Sequence, residues 1–241
     1  MQPLYGRLPY ELIVRELESG EAVGLDGYAV TPFTVAHQGT AVGYAVVEDH
    51  RPGRFDEREA LRLGVEPGPD FGVLQRGGSV TASDRSTVTP EQVLGEVRLG
   101  RKVIYSGDTM PCESLRIAAF QADLLVHESS FGDEEAERAA ETRHSTARQA
   151  AEIARDAQAR MLCLTHVSAR YLGKELRAQA REVFANSELP RDFDSVEIPF
   201  PERGAPRFVK YSRGRPRLDG ATSGVAADPA AGPQVNAEPA C

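Results

Sequence analysis

The stretch KVIYSGDTMPCESLRIAAFQADLLVHE, residues 102–128, decides the fold. It opens on an apolar run that breaks at Ser106-Gly107-Asp108, the signature of a strand giving way to a sharp turn. Thr109 and Pro111 then open a helix, because proline near a helix start gives up no intrahelical hydrogen bond. That helix is expected to carry Leu115, Ile117, Ala118 and Phe120 toward the core. A second apolar run follows and ends on His127-Glu128. Strand, helix and strand in close succession indicate an α/β layered domain.

The alternation continues toward the C-terminus. AERAAE (136–141) reads as a helix, and Ser145 is expected to cap a longer one reaching about Ala157. MLCLTHV (161–167) is a third strand, followed by a helix from about Lys174 to Phe184 and a closing strand near Val196–Phe200. Toward the N-terminus, YELIVREL (10–17), YAVTPFTV (28–35) and Gly43–Val47 read as β structure, with Asp26-Gly27 as a turn. Residues 51–100 differ in texture and read as an insertion. A short helix is predicted at about 57–63, where Asp56 and Glu59 suit a capping box and Gly64 a stop. Pro67-Gly68-Pro69 imposes an extended or turning backbone, and Thr89-Pro90-Glu91 starts another short element.

Composition narrows the function classes. With 241 residues, 41% hydrophobic and 27% charged, the chain is long enough to bury a core, and no apolar run reaches the length of a membrane span. A soluble, cytoplasmic protein is expected. Cys112, Cys163 and Cys241 form no C-x-x-C pair that would chelate metal or run redox chemistry. A net charge of −8 argues against indiscriminate nucleic-acid binding. Residues 203–218 nevertheless hold six Arg/Lys and no acid, which suits either phosphate contact or a solvated tail. Residues 203–241, basic and then rich in Ala, Gly and Pro, are expected to be disordered.

Three strings place a ligand-type side chain at the end of an apolar run: Ala36-His37-Gln38, Ser106-Gly107-Asp108-Thr109 and Leu164-Thr165-His166. A carboxylate just beyond a sheet edge can bind metal or bridge two cations, and Asp108 suits that role or the capping of the following helix. His37 and His166 suit metal ligands or satisfied structural residues. Their shared position argues for convergence, since ligands of one ion must meet at one edge of a layered fold. His144, at a helix start, can donate to a phosphate or a leaving oxygen, or be a surface residue. Glu128 can orient a neighbouring imidazole, and His50 reads as a solvated loop residue.

Together these strings resemble ribonuclease Z, the tRNA 3′-end processing family of the metallo-β-lactamase superfamily, from about residue 9 to 200. The resemblance rests on His37 followed by Gly43-Tyr44, and on the SGDT string followed by Cys112-Glu113-Ser114-Leu115. It continues in His127-Glu128-Ser129-Ser130, in His144-Ser145-Thr146, and in Thr165-His166 followed by Ser168, Arg170 and Tyr171. Asp49-His50-Arg51-Pro52-Gly53 and the later Pro-Gly-Pro are similar to the family's exosite arm, which grips tRNA. The arm is placed at 51–78, with five Arg and five Asp/Glu.

The resemblance implies an αββα sandwich and two zinc ions. Asp108 would bridge both metals, His37 would complete the first site and His166 the second, and His144 would assist the scissile phosphate or leaving group. Precursor tRNA is the implied substrate and a homodimer the implied assembly. The family's His-x-His-x-Asp-His ligand cluster has no counterpart here: the five histidines are His37, His50, His127, His144 and His166, no two within three positions. Residues 1–202 are therefore expected to form a truncated metallo-β-lactamase domain, inactive as an isolated chain because half the metal ligands are missing. Three origins stay open: a truncated gene model, one half of a split enzyme completed by an N-terminal half, or a degenerate relative that binds RNA or a partner. A small-nucleotide phosphodiesterase of the same superfamily is the rival enzyme class.

Overall fold

The computed structural model describes residue 10 and residues 13–212. In chain order its elements are β1 (Val23–Leu25), β2 (Tyr28–Thr34), β3 (Val42–Glu48), α1 (Glu57–Arg62), α2 (Pro69–Gln75), β4 (Val80–Thr81), β5 (Thr87–Val88), α3 (Pro90–Val93) and β6 (Lys102–Tyr105). They continue with α4 (Glu113–Ala118), β7 (Leu124–Glu128), α5 (Ala136–Thr142), α6 (Ala147–Asp156), β8 (Leu162–Thr165), α7 (Gly173–Val183), β9 (Ser187–Glu188), β10 (Ser195–Glu197) and β11 (Arg207–Val209).

Seven strands form one sheet in the order β1-β2-β3-β6-β7-β8-β9. From β6 to β9 the pairs are parallel, and from β1 to β6 they are antiparallel. Because β2 opposes β3 and β3 opposes β6, strand β2 runs in the same direction as β6, β7 and β8. The C-terminal ends of all four therefore emerge at one edge, where loops beyond parallel strands gather functional groups. This edge receives His37, Asp108, Glu128 and His166.

Helices α4, α6 and α7 cover one face of the sheet. Ile104, Leu115, Leu125, Leu162, Leu164 and Leu176 are all but completely buried there, and each contributes about 2 kcal/mol through the area it removes from water. Along α6, Ala147, Ala150, Ala151, Ala154 and the flanking Ala157 form an i, i+3, i+4, i+7 stripe small enough for close helix contact. The opposite face is crossed by the β10–β11 ribbon, whose Val196 and Phe208 pack with Ile198 on Leu124, Met161 and Cys163. Beyond that ribbon the same face bears Tyr28, Tyr44 and Tyr105, exposed by 37%, 38% and 46%. Among the described residues the domain is thus one helix layer on one sheet, half of the expected αββα sandwich.

The insertion is a unit with its own core. Ala60, Val65, Leu74, Val80, Val88 and Val93 are buried together beneath Phe55 and Phe71. It leaves and rejoins the sheet domain across an Arg51–Arg98 bridge, and Gly53 lies so close to Gly95 that a side chain at 53 would strike the Gly95 carbonyl. The arm expected at 51–78 is therefore only the first part of a unit that extends to Arg98. Asp56 caps α1 by accepting from the Glu59 amide, and Leu63-Gly64 ends it with Gly64 at φ +80°.

Several expectations are corrected. Pro67-Gly68 turns, as one of the two expected conformations, but Pro69 is already the first residue of α2, where proline is well tolerated. In α4, Leu115 and the flanking Ala119 are buried, but Ile117 and Phe120 are exposed by 61% and 47%, because positions two and five from Leu115 fall on the outer side. Thr146, not Ser145, caps α6 in a box with Gln149. Residues 13–18 lie outside any strand, with Ile13 and Val14 largely exposed. The closing strand belongs to the ribbon, and β9 forms the edge of the main sheet. Disorder from residue 203 is overturned at its start, since Arg207–Val209 pair with Ser195–Glu197. Residues 213–241 lie outside the described residues.

Ion pairs tie the base of the insertion to the segment between β10 and β11. Arg51 and Arg98 both engage Glu202, and the Arg51 guanidinium lies 3.4 Å over the Phe200 ring. Glu202 is held at about 2 by its hydrogen bonds to Arg51. No helix among the described residues is long and apolar enough to cross a membrane.

Candidate metal centre

The turn after β6 is shaped by Gly107, at φ +63°, where an added Cβ would lie 2.8 Å from the Val42 carbonyl oxygen. Only glycine fits such a left-handed position so close to another backbone. Flanking it, the Ser106 hydroxyl donates to the Gly107 carbonyl and accepts from the Glu128 amide. Thr109 is fully buried, and its Oγ1 accepts from the Ala36 amide, joining the Asp108 turn to the His37 loop. Asp108 is left half exposed at the sheet edge. The cap of α4 is Cys112, so Asp108 has no capping role there.

Glu128, at the end of β7, is fully buried and accepts four hydrogen bonds. Its Oε1 takes the Thr109 amide at 3.0 Å and His144 Nδ1 at 2.7 Å, and its Oε2 takes the Ser130 amide at 3.0 Å and hydroxyl at 2.9 Å. Every partner is a donor, the set an ionised carboxylate needs to be buried without loss. Ser130 spends its single proton on Glu128, so at 2.8 Å its oxygen accepts from His166 Nδ1. His37 Nδ1 donates to the Arg143 carbonyl at 2.8 Å, from a residue in the left-handed conformation that ends α5. Arg143 returns a bond from its guanidinium to the His37 carbonyl.

One consequence follows for all three imidazoles. With Nδ1 as the donor in each of these bonds, the neutral ring carries its lone pair on Nε2, while His166 Nδ1 also lies 3.7 Å from Asp108 Oδ1. This is the arrangement by which outer partners fix the tautomer of metal-ligating histidines. Ligand atoms of Asp108, His144 and His166 lie within 4.8 Å of one another. Tetrahedral ligands about 2.1 Å from one ion stand roughly 3.4 Å apart, so small side-chain rotations bring these atoms onto one cation. His37 is not in that group of three, but its ring centroid lies 4.7 Å from that of His144, which in turn stacks 5.4 Å from His166. His166 itself has φ +53°, a backbone cost of the kind that collects at functional sites. Imidazole and carboxylate together fit a divalent transition-metal ion.

All four residues singled out in the sequence, His37, Asp108, His144 and His166, thus meet at one edge. His50 follows β3 and so lies at the opposite edge, lining a cavity with Lys102 and Arg160. His127 is fully buried, with its Nδ1 donating to the Glu128 carbonyl, and burial pushes its imidazole below the usual range. The hub role of Ser130 was missed. Its signal was position, two residues beyond a strand-terminal glutamate that needs local donors.

A β-lactamase superfamily domain model matches residues 73–167. Ribonuclease Z of Myxococcus xanthus is 52% identical over 195 residues, 80% of this chain and 64% of that protein. Ribonuclease Z of Haloferax volcanii is 48% identical over 195 residues, 79% of this chain and 62% of that protein. Among solved structures, human tRNase Z, short form, matches with a TM-score of 0.44 and 23% identity, covering 73% of this chain and 46% of that one. The chain spans somewhat under two thirds of the length of the curated relatives it matches. By sequence the chain is similar to ribonuclease Z over about four fifths of its length, and its middle part matches a β-lactamase superfamily domain.

Proposed function

We propose that this chain carries the C-terminal part of a zinc-dependent phosphodiesterase centre of ribonuclease Z type, acting in tRNA 3′-end maturation. The observation that carries the reading is the set of three imidazoles at one sheet edge whose Nδ1 atoms are all tied back, two of them, His144 and His166, grouped with Asp108. His37, Asp108 and His166 would hold zinc, with Asp108 able to offer one oxygen to each of two ions. Zinc, when bound, supplies Lewis-acid polarisation of the phosphate and of water. Glu128 orients the His144 ring through its Nδ1 proton, and His144 Nε2, after taking up a proton, can deliver it to the leaving oxygen.

The described residues bring together too few ligands for two ions fixed in open catalytic geometry, which takes about three protein ligands each. On its own it is therefore a weak nuclease or none. The exposed tyrosine-bearing face supports a partner polypeptide there, either a second copy or a complementing half. A cytoplasmic location fits this role. The separately packed insertion, 51–98, favours precursor tRNA over a small nucleotide, since a small substrate needs no surface so far from the ligands.

The test is zinc binding together with RNA footprinting on the purified chain. Zinc should bind the wild type and be lost in Asp108→Ala, and precursor tRNA should protect the insertion from proteolysis. Zinc binding that survives Asp108→Ala sinks the metal assignment. Zinc-dependent cleavage of precursor tRNA by the isolated chain would overturn the prediction of weak activity.

A further inference from the structure

Beside the imidazoles lies an open cavity of about 330 Å³, lined among others by Arg138, Thr142, His144, His166, Ser168 and Arg170. We propose that it is an RNA-backbone subsite, in which Arg138 and Arg170 hold the phosphate next along the chain from the one that is cut. This rests on the phosphodiesterase reading above and extends it to where the strand lies.

Three observations carry the assignment. The first is continuity: His144 and His166 line the cavity and belong to the ligand cluster, so a chain whose phosphate reaches them has its neighbour here. The second is charge. Glu135 lies between the two guanidiniums, 3.6 Å from Arg138 and 3.4 Å from Arg170. These three groups by themselves carry one net positive charge, which suits one phosphodiester, with Glu134 a further acid close to Tyr171. Glu135 is itself anchored by the Tyr171 hydroxyl. The third is pre-organisation. Arg170 lies 5.6 Å from the Phe131 ring and 5.7 Å from that of Tyr171, and its Nε donates to Ser168 Oγ at 3.3 Å. A guanidinium set between two rings and bonded to Ser168 in this way loses less freedom when its fork meets a phosphate. Both arginine side chains remain open, at 58% and 47% exposure, so a ligand can reach them.

Contacts of this kind position a strand without reading its sequence. The experiment uses the whole chain in the presence of a chelator, so that no cleavage intervenes. A fluorescent single-stranded RNA hexamer is titrated by anisotropy over a range of KCl concentrations. Arg138→Ala and Arg170→Ala should each weaken binding about tenfold and reduce the slope of log affinity against log salt by about 0.7. Arg170→Lys should keep that slope, and the losses should be the same whatever the bases. A hexamer with uncharged methylphosphonate linkages should bind wild type and both arginine variants equally weakly. The proposal is overturned if the alanine variants keep the wild-type slope, or if they lose as much affinity for the uncharged hexamer as for RNA. Failure of zinc binding in the wild type would sink the metal reading, whereas an unchanged slope in the arginine variants would sink the subsite.

Discussion

Glu128 Oε1 accepts from His144 Nδ1 over 2.7 Å, although the glutamate is fully buried and the histidine borders the cavity. A carboxylate inside the protein thereby sets the tautomer of an imidazole at its surface. Glu128→Gln is nearly isosteric, but its amide group must present a donor to Thr109 N–H, Ser130 or His144, all of which are donors already. Because Glu128 also holds Ser130, which bonds the proposed ligand His166, zinc affinity should fall about 10- to 100-fold, the usual effect of losing an outer partner. Stability should fall by about 1–3 kcal/mol, the cost of an unsatisfied buried group. Zinc titration and urea unfolding measure both, and an unchanged zinc affinity would remove Glu128 from the site.

Gly107→Ala tests the turn that presents Asp108. The new methyl would meet the Val42 carbonyl oxygen at 2.8 Å in a left-handed backbone. A loss of about 1–3 kcal/mol is expected, read as a lower urea midpoint, together with weaker zinc binding as Asp108 is displaced. A variant as stable as the wild type would mean that the turn relaxes freely.

Zinc should raise the melting temperature. A ligand that binds only the folded state at 100 times its Kd adds about 2.7 kcal/mol. The shift should vanish in His166→Ala and persist in His50→Ala, since His50 lies at the opposite sheet edge. A shift that depends on His50 would place the metal elsewhere.

His127 predicts a pH dependence. Burial holds its imidazole neutral in the folded protein, whereas the unfolded chain takes up a proton as pH falls below about 6.5. Below that value the unfolded state binds more protons, so the stability from neutral burial is complete above it and is lost on acidification. His127→Leu removes the term. Unfolding midpoints should fall more steeply between pH 7.5 and pH 5.5 for wild type than for the variant. Parallel curves would contradict the assignment.

Much of the site was legible because strand ends are local signals: an apolar run that stops on His or Asp can be read without knowing its neighbours. That His37, Asp108 and His166 share an edge required only that their strands run the same way. The tethers were less legible. Nothing local marks Arg143 as the acceptor for His37, 106 positions away. Strand β9 is two residues long and polar, so it carries no alternation, and it exists because Leu162 and Cys163 offer an edge to pair with. The YELIVREL pattern misled for the converse reason. Alternation calls for a face to cover, and residues 13–18 have no sheet partner among the described residues.

The insertion departs and returns through neighbouring points, Arg51 opposite Arg98. Closing a chain across one strand spacing costs little, and doubling the length of the loop that spans it adds only about 0.6 kcal/mol. The appendage is therefore interchangeable in principle: it could grow, shrink or be swapped for another without moving a single group at the far edge of the sheet. A scaffold wired this way lets what is captured diverge while the chemistry at the other end stays as it was.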